Sequence, residues 1–267
     1  MREGNYRTDT LFHYTKSIED VLKIIKSGKL YPNYCKEDLS TQRYPDNIVG
    51  IPQVCFCDIP LSLANILVKY YGDYAVGFKK PWGLVHGCNP IQYINNEEIL
   101  NGLIFYHKKW NEYHKNLRNS KLSFGQDISL FLNELDSNDA KTHMFGFMKK
   151  YVGEWKNEEY CNYEENEWRY IVKEGYHEIW WLWGKTEYET WRGDIHQNKP
   201  QPTEDLKLLG LDFSIDDINH IVLKDESEIP KFIDQLSDIM GQKGWSKEDY
   251  SILLSKITTF ERIRNDF

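Results

Sequence analysis

The stretch "LFHYTKSIEDVLKIIKSGKLYP", residues 11–32, constrains the fold most. "LFHYT" is short, aromatic and β-branched at its end, which predicts a strand. Ser17 then suits a helix N-cap, with Asp20 three residues on, close to a capping box. Val21, Leu22, Ile24 and Ile25 form an apolar helical face, and Gly28 is placed to stop the helix in a left-handed conformation. The unit is therefore strand, turn, helix. Alternation puts Leu11, His13 and Thr15 on one strand face, with Phe12 and Tyr14 on the other.

The remaining chain extends this pattern. Residues 31–50 hold Pro32, Pro45, Asp46, Asn47 and Gly50 and predict a loop. "IPQVCFCDIP" predicts a strand between Pro52 and Pro60. "LSLANILVKYYG" predicts a short helix ending at Gly72, and "YAVGFK" a strand in which Gly77 permits close approach. "NPIQYIN" predicts another short strand. From about residue 96 to 152 the periodicity is helical. "NEWRYIV" and "EIWWLWG" return to strand character, with Trp180, Trp181 and Trp183 packing there. "INHIVLKDESEIPKFIDQLSDIM" predicts strand, acidic turn and helix, with Pro230 in the first helical turn. "ITTFERIRNDF" suits a terminal strand. No repeat, low-complexity tract or linker interrupts the 267 residues, so we expect one α+β domain over 1–267 with a helical insertion at about 96–152.

Charge and cysteine content narrow the function classes. The formal net charge is −8 and the chain has no Lys/Arg block or basic helix, which argues against direct DNA binding. The five cysteines are odd in number, the N-terminus is polar, and no apolar run approaches the roughly 18 residues of a membrane span. We therefore expect a cytoplasmic protein with free thiols. "VCFCD" places Cys55 and Cys57 on one side of a strand, but CxC without a second pair is weak for metal. His107, His114, His143 and His177 are scattered. No metal site is expected.

Two positions could carry chemistry. His13, followed by Tyr14 and Thr15, could hold a ribose hydroxyl or an amide; a structural histidine bonded to backbone is the simpler alternative. In "CNYEENEWRYIV", residues 161–172, a strand would place Glu165, Glu167 and Arg169 on one face, with Trp168, Tyr170 and Val172 on the other. A glutamate in a cleft could bond a ribose hydroxyl and stabilise an oxocarbenium-like transition state. The alternative is an exposed Glu–Arg pair worth little energetically. Asp58 fits a turn or cap. There is no GxGxxG, P-loop or GxSxG motif.

Several segments together carry a resemblance: "LFHYTKSIEDVLKIIKSGKLYPNYCKED", "IPQVCFCDIPLS", "YGDYAVGFKKPWG", "NEWRYIV" and "FERIRNDF". They resemble the AbiGi family of bacterial abortive-infection proteins, named as the antitoxin partner of a nucleotidyltransferase-like toxin. More loosely, "HYT" on a first strand, a "CF" strand before "DIPL" and a late "EWR" strand look like the layout of ADP-ribosyltransferase-like proteins. That second resemblance implies split, mostly antiparallel sheets with an NAD-binding cleft. By it His13 would position NAD and Glu167 would stabilise the transition state. Tyr14, Thr15 and Arg169 would lie at the cofactor, and Tyr74 or Phe78 would stack on nicotinamide. Thr15 after His-Tyr and the "EWR" setting depart from that pattern. The catalytic expectation requires His13 and Glu167 to share a cleft; side chains on opposite sheet faces would sink it. Alternatives are a non-catalytic antitoxin or regulator of a toxin encoded nearby, or a sensor of a nucleotide-derived ligand.

Overall fold

The computed structural model describes residues 8–119, 144–155, 158–172, 181–196 and 204–266. Nine strands build the main sheet. In chain order they are β1 (Thr10–Thr15), β2 (Asn33–Asp38), β3 (Ile48–Cys57), β4 (Tyr74–Lys79), β5 (Asn89–Pro90), β6 (Glu167–Ile171), β7 (Leu182–Trp183), β8 (Ile218–Leu223) and β9 (Ile257–Thr259). They lie in the order β9-β8-β4-β1-β3-β6-β5, and β2 and β7 also pair with the long β3. Every pairing is antiparallel except β8 with β9. Three two-stranded sheets sit around it, among them Gln92–Ile94 with Met148–Lys150, and Val152–Trp155 with Glu158–Cys161. The α+β class and the mostly antiparallel sheet match expectation.

The opening unit forms as its sequence predicts. Ser17 accepts from the Asp20 backbone N–H, and Gly28, at φ 68°, closes the helix Ile18–Ser27 by donating to the Ile24 carbonyl. Ile18, Val21, Leu22 and Ile25 bury the helix against Leu11, Val54, Phe56, Val76 and Phe78 of the sheet. Phe232, Leu236 and Ile239 of the helix Ile229–Lys243 cover the same face. Burial of such side chains contributes about 1.5–3 kcal/mol each. The opposite face is covered differently. Phe12, Ala75 and Val222 meet Phe260 and Ile263 of the helix Phe260–Asp266, and Val49 and Ile51 meet Leu100 and Ile104 of the helix Glu97–Asn119.

Several boundaries differ from the sequence reading. The segment expected as a loop over 31–50 contains β2 and the start of β3, joined as an antiparallel hairpin. The insertion is helical over Glu97–Asn119, but Met148–Lys150 and Val152–Trp155 are strands. The terminal segment keeps only Ile257–Thr259 as strand before turning helical. Trp181 and Trp183 pack together with ring centroids 5.9 Å apart. Trp180, His143 and His177 lie outside the described residues.

β3 is strongly curved. Glu37 stands opposite Val49 and Arg169 opposite Cys55. Six residues of flat strand would separate those rows by about 20 Å. Yet the Arg169 Nη2 lies 2.7 Å from the Glu37 Oε1. The two long side chains span part of that distance and a curl of the sheet accounts for the rest; Gly50 and Pro52 lie in β3 between the two rows.

Candidate functional site

The concave face of β3 holds a buried ion cluster. Arg169 is fully shut off from solvent, at 0% exposure. Its Nε donates to the Glu167 Oε1 at 2.6 Å and its Nη2 to the Glu167 Oε2 at 3.0 Å. This fork-to-fork geometry is the strong form of the carboxylate pair. Nη2 also pairs with Glu37, and Nη1 donates to the Gly146 carbonyl at 2.7 Å. Lys149 approaches from the Met148–Lys150 strand and donates to the Glu165 Oε2 at 2.7 Å and the Glu167 Oε2 at 3.0 Å. The Tyr71 hydroxyl donates to the other Glu165 oxygen at 2.7 Å, and the Tyr93 hydroxyl oxygen accepts the Glu167 backbone N–H at 2.7 Å.

The electrostatics follow from that arrangement. Three carboxylates face two cations. Burial opposes ionisation of Glu167, but Arg169 and Lys149 outweigh it and hold the carboxyl well below its ordinary range. Burial pushes Glu37 and Glu165 up, only partly offset by Arg169 and Lys149 respectively. Burial also disfavours the Lys149 ammonium, yet its three glutamates raise it well above the usual value. Cys57, on the same face, is pushed far up by burial and stays a thiol.

The sequence reading placed Glu165 on a strand with Glu167. Instead Glu165 ends a 3-10 turn, Asn162–Glu165, and Asn166 follows with φ 42° before β6 begins. The turn still delivers Glu165 to the cluster. The Glu–Arg pair is buried rather than exposed, and Trp168 and Tyr170 face the core as expected. Asp58 is neither turn nor cap: it is buried, and both its oxygens accept from the Lys80 ammonium at 2.8 Å.

His13 does not reach this cluster. Phe12 and Glu167 both stand opposite Cys57, so Phe12 and Glu167 share a face and His13 points to the other. There the His13 ring meets Phe56 edge-on at 5.9 Å, and its Nδ1 donates to the Cys55 carbonyl at 2.9 Å. β1 and β3 share a single register pair, so the imidazole takes a carbonyl that no β1 amide reaches. Burial lowers its pKa, which keeps the ring neutral.

The other nominated residues divide similarly. Tyr74 and Phe78 lie on the His13 side: the Tyr74 hydroxyl donates to Glu228 at 2.7 Å, and Phe78 stacks on Trp82 at 4.7 Å in the core. The buried Thr15 hydroxyl donates to the Ser17 carbonyl at 3.4 Å. Tyr14 faces the Glu167 side and stacks on Phe260 at 6.1 Å. Thus Tyr14, Glu167 and Arg169 share one face, while His13, Thr15, Tyr74 and Phe78 share the other. Sequence reasoning missed Glu37, Lys149, Tyr71 and Tyr93. Among the described residues no group of three potential ligands could hold a metal, and no helix is long and apolar enough to cross a membrane.

Residues 28–224 match the family described as "Putative abortive phage resistance protein AbiGi, antitoxin". The chain belongs to the AbiGi family. It is 26% identical over 263 residues to "Abortive phage resistance protein AbiGi" of Lactococcus lactis subsp. cremoris, covering 88% of this chain and 98% of that protein. No solved structure matches the chain.

Proposed function

We propose that the chain acts as the antitoxin member of a phage-resistance pair and does so without transferring ADP-ribose. The family description supports the antitoxin role and with it a partner toxin. One observation carries the non-catalytic part: both Glu167 oxygens are taken up by Arg169 and Lys149 inside the core, on the sheet face opposite His13. A carboxylate held this way is shut off from solvent with three charge-assisted bonds already on its two oxygens, and its partner histidine is spent on a backbone carbonyl. Arg169 is equally committed, so it offers no fork to a phosphate. Glu167 and Arg169 act here as anchors that shape β3.

The test is neutralisation in cells. The partner toxin is induced with the wild-type chain, with His13→Gln and with an empty vector, and survival is counted. Equal protection by wild type and His13→Gln, with death in the empty-vector strain, is the expected result. Protection lost in a folded His13→Gln would return the weight to NAD chemistry.

A further inference from the structure

The helix Glu97–Asn119 buries Leu100 and Ile104 in the core and turns an apolar stripe outward. Gly102 lies at the centre of that outer face, and Ile99, Phe105 and Tyr106 are its i−3, i+3 and i+4 neighbours. Their exposures are 52%, 40% and 73%, so three large apolar side chains stand in solvent within two turns. A Cβ on Gly102 would meet nothing within 4 Å, which leaves a shallow notch between them. The exposed Glu98 stands at the fourth side of the notch. Two cations border the Phe105 side. The Arg43 guanidinium lies over the Phe105 ring at 6.0 Å and over Tyr44 at 5.6 Å, and the Lys108 ammonium covers Tyr44 at 4.4 Å. Among the described residues no carboxylate lies within ion-pair distance of Arg43 or Lys108, whereas Lys109 is held by Glu112 at 2.7 Å.

The turn bearing Arg43 is fixed in advance. The Thr41 hydroxyl donates to the Asn101 side-chain oxygen at 2.6 Å, both residues being buried, and the Gln42 backbone N–H donates to Glu97. The Tyr44 backbone N–H donates to the Thr41 hydroxyl oxygen at 3.0 Å. A rigid surface of aromatic rings beside an arginine is what binding hot spots are made from, because little freedom is lost on contact. We propose that this face is the docking surface for the partner toxin, and that the toxin presents a carboxylate-bearing segment whose apolar side chain enters the notch at Gly102. The identity of that partner rests on the antitoxin reading. The carboxylates are selected by Arg43 and Lys108, two exposed charges left unneutralised on a chain of net charge −8. The apolar side chain is selected by Ile99, Phe105 and Tyr106. Two other occupants fit less well. A two-fold contact with a second copy brings Arg43 and Lys108 of both chains into one interface, like charge against like. A nucleic acid needs more than two free cations to overcome the repulsion of an acidic chain.

The experiment is titration calorimetry of the full chain with the purified toxin encoded beside it, at low and high salt, with neutralisation in cells counted separately. Gly102→Glu fills the notch with a charge of the wrong sign. Nothing within 4 Å opposes the new side chain and a helix gains from losing a glycine, so the variant stays folded. It weakens binding by about tenfold or more, and Arg43→Glu does the same. Val85→Ser, 85% exposed on another helix, leaves binding unchanged. Salt weakens the wild-type complex, as screened ion pairs require. Should Gly102→Glu fail to fold, Tyr106→Ala takes its place. No complex with the wild-type chain overturns the proposal, even where that chain still protects cells, because protection without contact leaves the antitoxin reading standing. A complex of unchanged affinity in folded Gly102→Glu and Arg43→Glu overturns it too. So does a Gly102→Glu chain that loses self-association, or retention of a single-stranded oligonucleotide, while its toxin contact is untouched. A chain that binds the toxin through this face yet fails to protect upholds the docking surface and overturns the antitoxin reading alone.

Discussion

Replacing Arg169 by methionine removes the charge that the cluster is built around while keeping much of the aliphatic volume. Glu37 would then lose its ion-pair partner, Glu165 and Glu167 would share Lys149, and the Gly146 carbonyl would lose its donor. Removing one partner of a buried pair costs about 3–5 kcal/mol, and an orphaned carbonyl adds about 1 kcal/mol. Protonation caps the loss. Neutralising one carboxyl at pH 7, against an unfolded value near 4.3, costs about 3.7 kcal/mol at 1.36 kcal/mol per pH unit. The variant should therefore lose about 4–5 kcal/mol at pH 7. The sign with pH follows directly. Without Arg169 the folded-state carboxyls titrate above their unfolded values, so the folded state binds more protons and stability falls as pH rises. Between pH 7 and pH 5 one such carboxyl returns about 2.7 kcal/mol. Urea unfolding of wild type and Arg169→Met at both pH values measures this. A cost below about 1 kcal/mol at pH 7, or one that is the same at pH 5, would refute the claim that the cluster is desolvated and interdependent.

Three further outcomes follow from the same geometry. Gly72 ends its helix at φ 115°, and a Cβ there would collide with the Thr15 carbonyl, so Gly72→Ala should cost about 2 kcal/mol or more in urea unfolding. His13 is held neutral by burial, so below about pH 6.5 the unfolded state binds a proton that the folded state refuses, and stability falls as pH drops. His13→Gln should flatten that slope between pH 7 and 5.5 relative to wild type. Asp58→Asn leaves the Lys80 ammonium without its charge partner beside the core and should lower stability by about 3 kcal/mol in the same assay.

The strand–turn–helix unit was legible because its apolar spacing, N-cap and Gly28 all agree locally. β4 and β6 were legible for the same reason. β2 was not. "NYCKED" is polar and charged, and it is a strand because it pairs with β3 and because Arg169, far along the chain, donates to Glu37. Lys149 escaped notice because a three-residue strand beside helical periodicity carries no pattern of its own. The Glu167–Arg169 pair was visible from its i,i+2 spacing, but its burial depends on those two unseen partners. The face assignment of His13 shows where alternation stops helping. Alternation sorts residues within β1, but only the register of Phe12 against Cys57 relates that strand to Glu167. A one-residue slip would have put His13 on the Glu167 side. The AbiGi relationship was recognisable from dispersed segments, whereas the NAD cleft rested on a looser likeness of layout.

The most direct measurement is nicotinamide release from NAD by the purified wild-type chain, with and without phage-infected lysate, beside a folded Glu167→Gln. With Glu167 committed to Arg169 and Lys149, no release above the Glu167→Gln background is expected in either condition. Release by wild type that disappears in the variant would contradict the account and make Glu167 a catalytic residue.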